Sequence, residues 1–229
     1  MISFEKQSVK HFIKMAKKKE WREGEIALAF NLTKIIKPLT PKMVEWMNIE
    51  KPVFSVGEQY VFDDTYETGL NLVSTWSEED LKMHFISPVL KLGKVMTNPK
   101  FVSFFDKKLT GEVLGHHLSV KTDFVIGSGL MDYMQKPYFH FQEYKPNKNP
   151  TGDSMAQLLE AFLIAQKIND DGKPLYGCEV IGVNWTFVTM ENNSYCVSKG
   201  FDSRDKEDLL AIIAILRKFR HILETVLLV

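Results

Sequence analysis

The sequence predicts a mixed α/β (α+β) protein, a central sheet with helices packed against it. Three observations predict it. From Trp76 onward the apolar pattern runs helical, alternating, helical, alternating, helical, in the order helix, three strands, helix, two strands, helix. Turn residues, among them Gly127, Gly129 and Pro137, fall between the segments. A composition of 45% hydrophobic and 25% charged residues over 229 positions suits a folded chain with a domain-sized core.

Residues 1–75 read as a mostly helical front section. Positions 5–19 carry Val9, Phe12, Ile13 and Ala16 at helical spacing. Shorter helices follow at 25–36 and 41–47, punctuated by Pro38, Pro41 and Pro52. This section is taken as an extension of a domain spanning 76–229. Its role is open to substrate positioning, homodimerisation or contact with a partner protein. Positions 58–80 hold seven acidic residues and no Lys or Arg. Glu58, Asp63, Asp64 and Glu67 are assigned to a solvated loop. Ser77-Glu78-Glu79-Asp80 reads as a helix start, with Ser77 as cap and acids in the first turn. Leu81, Phe85, Val89 and Leu92 continue that helix as an apolar stripe. Strands follow at 112–120, 122–126 and 138–145. A helix at 153–169 starts at Asp153, two more strands lie at 177–190 and 194–197, and a last helix runs from 205 to the terminus.

Composition also excludes. Lys plus Arg equals Asp plus Glu at 29 each, so the chain is not coated in positive charge for bulk polyanion binding. The first 22 residues contain no apolar run longer than Phe12-Ile13, so no signal-peptide core is expected. Arg217, Lys218, Arg220 and His221 interrupt the Leu/Ile-rich stretch 209–229, so no membrane span is expected. Cys178 and Cys196 are the only cysteines and form no CxxC pair; a reduced, cytoplasmic protein follows. His116 and His117 point to opposite faces of a strand and do not chelate one ion.

The chemistry concentrates in Thr122-Asp123-Phe124 and Gln142-Glu143-Tyr144-Lys145. Glu143 and Lys145 lie two apart on a strand and share a face. A symmetric hairpin centred near position 133 sets Asp123 opposite Glu143, with Cβ atoms about 5 Å apart. Carboxylates that close repel unless one is protonated or a cation lies between them. Mg²⁺ or Mn²⁺ is the cation that suits such hard oxygen donors. Lys145 beside it can orient a water or stabilise charge on a phosphate. With Leu81, Phe85, Val89 and Leu92 facing inward, Glu78 points toward the sheet, Glu79 toward its edge and Asp80 outward. The bland account of these acids is interaction with the helix dipole.

This order of residues resembles the PD-(D/E)XK nuclease superfamily. The signature is Asp123, nineteen residues, then Glu143-Tyr144-Lys145, on the second and third core strands. More narrowly, residues 77–200 resemble the nuclease domain at the N-terminus of type I restriction endonuclease motor subunits. Ser77-Glu78-Glu79-Asp80-Leu81-Lys82 is similar to the opening helix of those domains, and Gln142-Glu143-Tyr144-Lys145 to their catalytic strand. Thr122 stands where the family name has Pro, Gln157 matches the Gln of a QxxxY helix motif, and Ala161 replaces its Tyr. No helicase motor follows within these residues.

The resemblance implies a restriction-endonuclease-like core and metal-dependent hydrolysis of DNA leaving 5′-phosphate ends. Asp123, Glu143 and Glu78 are then the metal ligands, Lys145 assists water attack, and Gln157 orients the site. Lys82, Lys136 and Lys148 are assigned to nucleic acid, because positions 82–108 hold six Lys and one acid, Asp106. The alternative is a nuclease-fold module that binds nucleic acid or assembles with a partner and catalyses little.

Overall fold

The computed structural model describes residues 20–131, 133–146 and 152–228. The predicted helix at 5–19 and the assigned phosphate contact Lys148 lie outside them.

Helix α1 (Glu23–Ala29) is shorter than the sequence suggests. Asn31 takes a left-handed conformation (φ 53°), and the β-branched run after it forms β1 (Thr33–Ile35) instead of more helix. Helix α2 (Pro41–Met47) is capped by Thr40 and has Pro41 at its first position. The predicted acidic loop is a helix, α3 (Val56–Leu72). Ser55 and Glu58 form a capping box, Phe62, Thr65 and Gly69 turn inward, Asp64 and Glu67 are exposed, and Glu58 and Asp63 pair with Arg217 and Lys206 of the last helix. A Cβ on Gly69 would sit 2.7 Å from the Phe85 ring, so the next helix approaches closely only because this position is glycine.

That next helix is a continuous rod of α4 (Glu78–Leu81), a π-helical segment (Lys82–Ile86) and α5 (Ser87–Leu92). Three long strands then meander antiparallel: β2 (Val102–Val113), β3 (His116–Leu130) and β4 (Tyr133–Lys145). Helix α6 (Ser154–Asn169), capped by Asp153 as predicted, crosses over to β5 (Leu175–Ile181), which returns parallel to β4. The stretch read as two strands is three: β5, β6 (Asn184–Glu191) and β7 (Ser194–Asp202). Gly182, at φ 58°, supplies the turn that the sequence reading passed over. Helix α7 (Lys206–Ile222), capped by Asp205, closes the fold.

Among the described residues seven strands form one mixed sheet in the order β1-β7-β6-β5-β4-β3-β2. Residues 20–75 contribute β1 to this sheet. Strand β1 pairs parallel with β7, and Trp46 is buried between sheet and α7, its Nε1 donating to Ile215 O at 2.9 Å. Burying an aromatic of this size stabilises by about 2–3 kcal/mol. One core layer lies between the sheet and α2–α5 and α7; the other lies under α6 and α1. Among the described residues no helix is long and apolar enough to cross a membrane.

Candidate active site

The β3–β4 hairpin turns between Leu130 and Tyr133, not at a symmetric centre near 133. Irregularities between Ile126 and Ser128 then shift the register, so that Gly127 faces Tyr138 and Phe124 faces Gln142. Asp123 and Glu143 lie one position past the last pair of that register, and the charge of Asp123 acts on Glu143. On the other side of β3, Phe105 pairs with Phe124 and Lys107 with Thr122, which leaves Asp106 beside Asp123. On the other side of β4, Glu143 pairs with Glu179 of β5. Four neighbouring strands thus present Asp106, Asp123, Glu143 and Glu179 at one level of the sheet.

Such a row demands cations or protons. Glu143 is 1% exposed, and burial, then the charge of Asp123, push its pKa well above the usual carboxylate range against the pull of Lys145. Its Oε1 has no hydrogen-bond partner among the described residues. Asp123 Oδ2 accepts from the Tyr144 backbone N–H at 2.7 Å, which fixes the orientation of that carboxylate. Burial also raises Glu179, although the Ser154 hydroxyl donates to its Oε1 at 2.5 Å.

The cation at the centre is Lys82. Its side chain is 8% exposed, and its Nζ lies 2.8 Å from Asp123, 3.1 Å from Glu78 and 3.6 Å from Asp106. Burial opposes its charge, but Asp123 and Glu78 outweigh that and hold its pKa above the ordinary lysine value. Lys121 supports Asp106 at 3.0 Å from the solvent side. Lys145 Nζ lies 3.9 Å from Glu78. The N–H of Gly182 donates to Lys145 O at 2.7 Å, which pins the end of β4.

The structure therefore brings Glu78, Asp123, Glu143 and Lys145 together. Lys82, assigned from sequence to nucleic acid, is instead buried among carboxylates, because its stem folds inward from the first position of the π segment. Gln157 lies one helical turn beyond Asp153 and Ser154; its Oε1 is buried without a hydrogen-bond partner among the described residues. Lys136 lies seven residues before Glu143 along β4, roughly 20 Å away at strand rise. Among the described residues no group of three or more His, Cys, Asp or Glu side chains converges to hold a metal ion, and the Lys82 ammonium stands between Glu78 and Asp123.

Lys145 also lines a cleft of about 360 Å³ with Arg22, Lys34, Ser154 and Glu179. Sequence reasoning missed Asp106, Lys121, Glu179 and the centring role of Lys82. Two of these left a signal. Lys82 stands four residues after Glu78, the spacing of a helical ion pair, and Asp106 is the one acid in a lysine-rich stretch. Glu179 became visible only through the parallel β4–β5 register. No protein-family model matches this chain, and a search of curated proteins finds no match.

Proposed function

We propose that the chain is a metal-dependent nuclease of the PD-(D/E)XK type, with a restriction-endonuclease-like core, hydrolysing phosphodiester bonds in DNA. One observation carries this. Asp123 on the second strand of the meander, Glu143 and Lys145 on the third, and Glu78 on the preceding helix meet at one place, and β5 returns beside them parallel to β4.

The donor types suit Mg²⁺ or Mn²⁺, while the side chains as placed among the described residues do not converge on one ion. Their donors are hard carboxylate oxygens, the buried Glu143 Oε1 has no hydrogen-bond partner among the described residues, and a cation, the Lys82 ammonium, already sits between Asp123 and Glu78. Asp123 and Glu143 would hold the ion, with Glu78 completing the set. Bound there, it supplies charge stabilisation at a phosphate and an acidified water. The chain's own groups do the rest. Tyr144 N–H fixes Asp123, and burial around Glu143 keeps bulk water out. Lys145, between the carboxylates and the cleft, holds the attacking water or the developing negative charge. Arg22 and Lys34 line the cleft beside Glu23, Asp153 and Glu179 and would meet the phosphate backbone, and Gln157, outside the cleft lining, would orient the site from α6.

The second reading, a binding or assembly module with little catalysis, is favoured by Lys82, which neutralises the acids without a metal. Incubating plasmid, single-stranded DNA and RNA with Mg²⁺ or Mn²⁺ separates the two. Wild type cleaves at least one substrate, and Asp123→Ala and Lys145→Ala do not. Activity that survives both substitutions removes the nuclease assignment, and binding without turnover by wild type selects the module.

A further inference from the structure

We infer that Lys82 is a built-in competitor for the cation position: its ammonium occupies the space between Asp123 and Glu78, and a divalent ion enters only as that ammonium withdraws toward Asp106. The inference deepens the nuclease assignment and rests on it.

The site holds more acceptors than an ammonium can serve. Lys82 has three N–H donors. Three carboxylates, Asp123, Glu78 and Asp106, surround its Nζ at 2.8, 3.1 and 3.6 Å. Glu143, also buried and beside Asp123, is left with an Oε1 that nothing donates to among the described residues. An ion that takes six oxygens in all directions satisfies this set, and one lysine does not.

A way out is also present. Asp106 is 43% exposed where Asp123 is 9% exposed, so the ammonium moves toward solvent without losing its last partner. Lys82 opens the π-helical segment, a wide turn of a kind frequent at functional sites. The consequence is a threshold: the acids stay neutralised at low metal and are released to an ion at high metal. It also explains how three acids remain close together in the folded chain without an ion.

Isothermal titration calorimetry of the full chain with Mn²⁺ tests this independently of cleavage. Lys82→Met keeps the stem and removes the competing charge. If the ammonium holds the position nine-tenths of the time, its removal tightens apparent Mn²⁺ affinity about tenfold. Lys82→Arg, which keeps the charge, binds no more tightly than wild type. Lys82→Gln provides the same measurement should Lys82→Met not fold. Mn²⁺ binding by Lys82→Met or Lys82→Gln that is equal to or weaker than wild type, with Asp123→Ala abolishing it, overturns the competition while leaving the metal centre standing. An absence of Mn²⁺ heat from wild type and Lys82→Met alike, at millimolar metal, removes the metal centre and the competition together.

Discussion

Replacing Lys82 with Met in the absence of metal tests the electrostatics of the site directly. Breaking a buried ion pair by removing one partner costs about 3–5 kcal/mol, because the other charge stays behind. Here water takes up part of that charge: Glu78 is 32% and Asp106 43% exposed, while Asp123 keeps the Tyr144 N–H. The structure therefore places the cost at the lower end, about 2–3 kcal/mol. For a chain of this length that lowers Tm by roughly 4–12 °C. Lys121 serves as the internal control. It pairs with the same Asp106 at 3.0 Å but is 64% exposed, so Lys121→Met costs less than about 1 kcal/mol. Urea denaturation in EDTA near neutral pH, at unchanged m, measures both. Equal stability of Lys82→Met and wild type, or equal losses at Lys82 and Lys121, refutes the claim that burial makes Lys82 the counter-ion of the site.

Three further outcomes follow from the packing. His140 is fully buried against Phe219, and burial pushes its imidazole down to about 3 from 6.5. The folded chain then binds fewer protons than the unfolded chain between those values, so this contribution is complete above about pH 6.5 and is lost as pH falls toward 3, about 5 kcal/mol in all by linkage. Urea midpoints from about pH 7 to about pH 4 fall in wild type and fall less in His140→Phe; identical slopes contradict the assignment. Asp153→Ala removes both the α6 cap to Ala156 N and the bond to Glu23 N, each 2.9 Å, and destabilises by about 1–2 kcal/mol, read by thermal melting; no change in Tm counts against it. Gly177→Ala drives a Cβ to 2.6 Å from Phe162 and 2.9 Å from Leu158, and costs about 1–3 kcal/mol by the same melts; a neutral result means α6 is free to shift away from β5.

Local periodicity made much of the fold readable. Alternation put Glu143 and Lys145 on one face, and the apolar stripe Leu81, Phe85, Val89 and Leu92 aimed Glu78 at the sheet. The symmetric hairpin sets Asp123 opposite Glu143; the observed register runs from Leu130–Tyr133 through an irregular stretch between Ile126 and Ser128 and ends at Phe124–Gln142, one position before them. What stayed hidden depends on long-range pairing. Strand β1 is three residues with no alternation to mark it, and β7 alone makes it a strand. Helix α3 looked like a solvated loop because its acids outnumber its few inward residues, Phe62, Thr65 and Gly69. Lys82 reads as a nucleic-acid contact because it opens the lysine-rich stretch 82–108; three carboxylates drawn from a helix and two strands bury it instead.

Asp123, Glu143 and Lys145 are the proposed hydrolytic centre. Single-turnover cleavage of 5′-labelled duplex DNA with Mn²⁺ tests it most directly, comparing wild type with Asp123→Asn and Lys145→Ala at matched DNA occupancy. The account predicts metal-dependent products with 5′-phosphate ends in wild type, and a loss of about 100-fold or more in rate for each variant. Cleavage by wild type that persists in EDTA, or variants that cut at the wild-type rate, contradicts it.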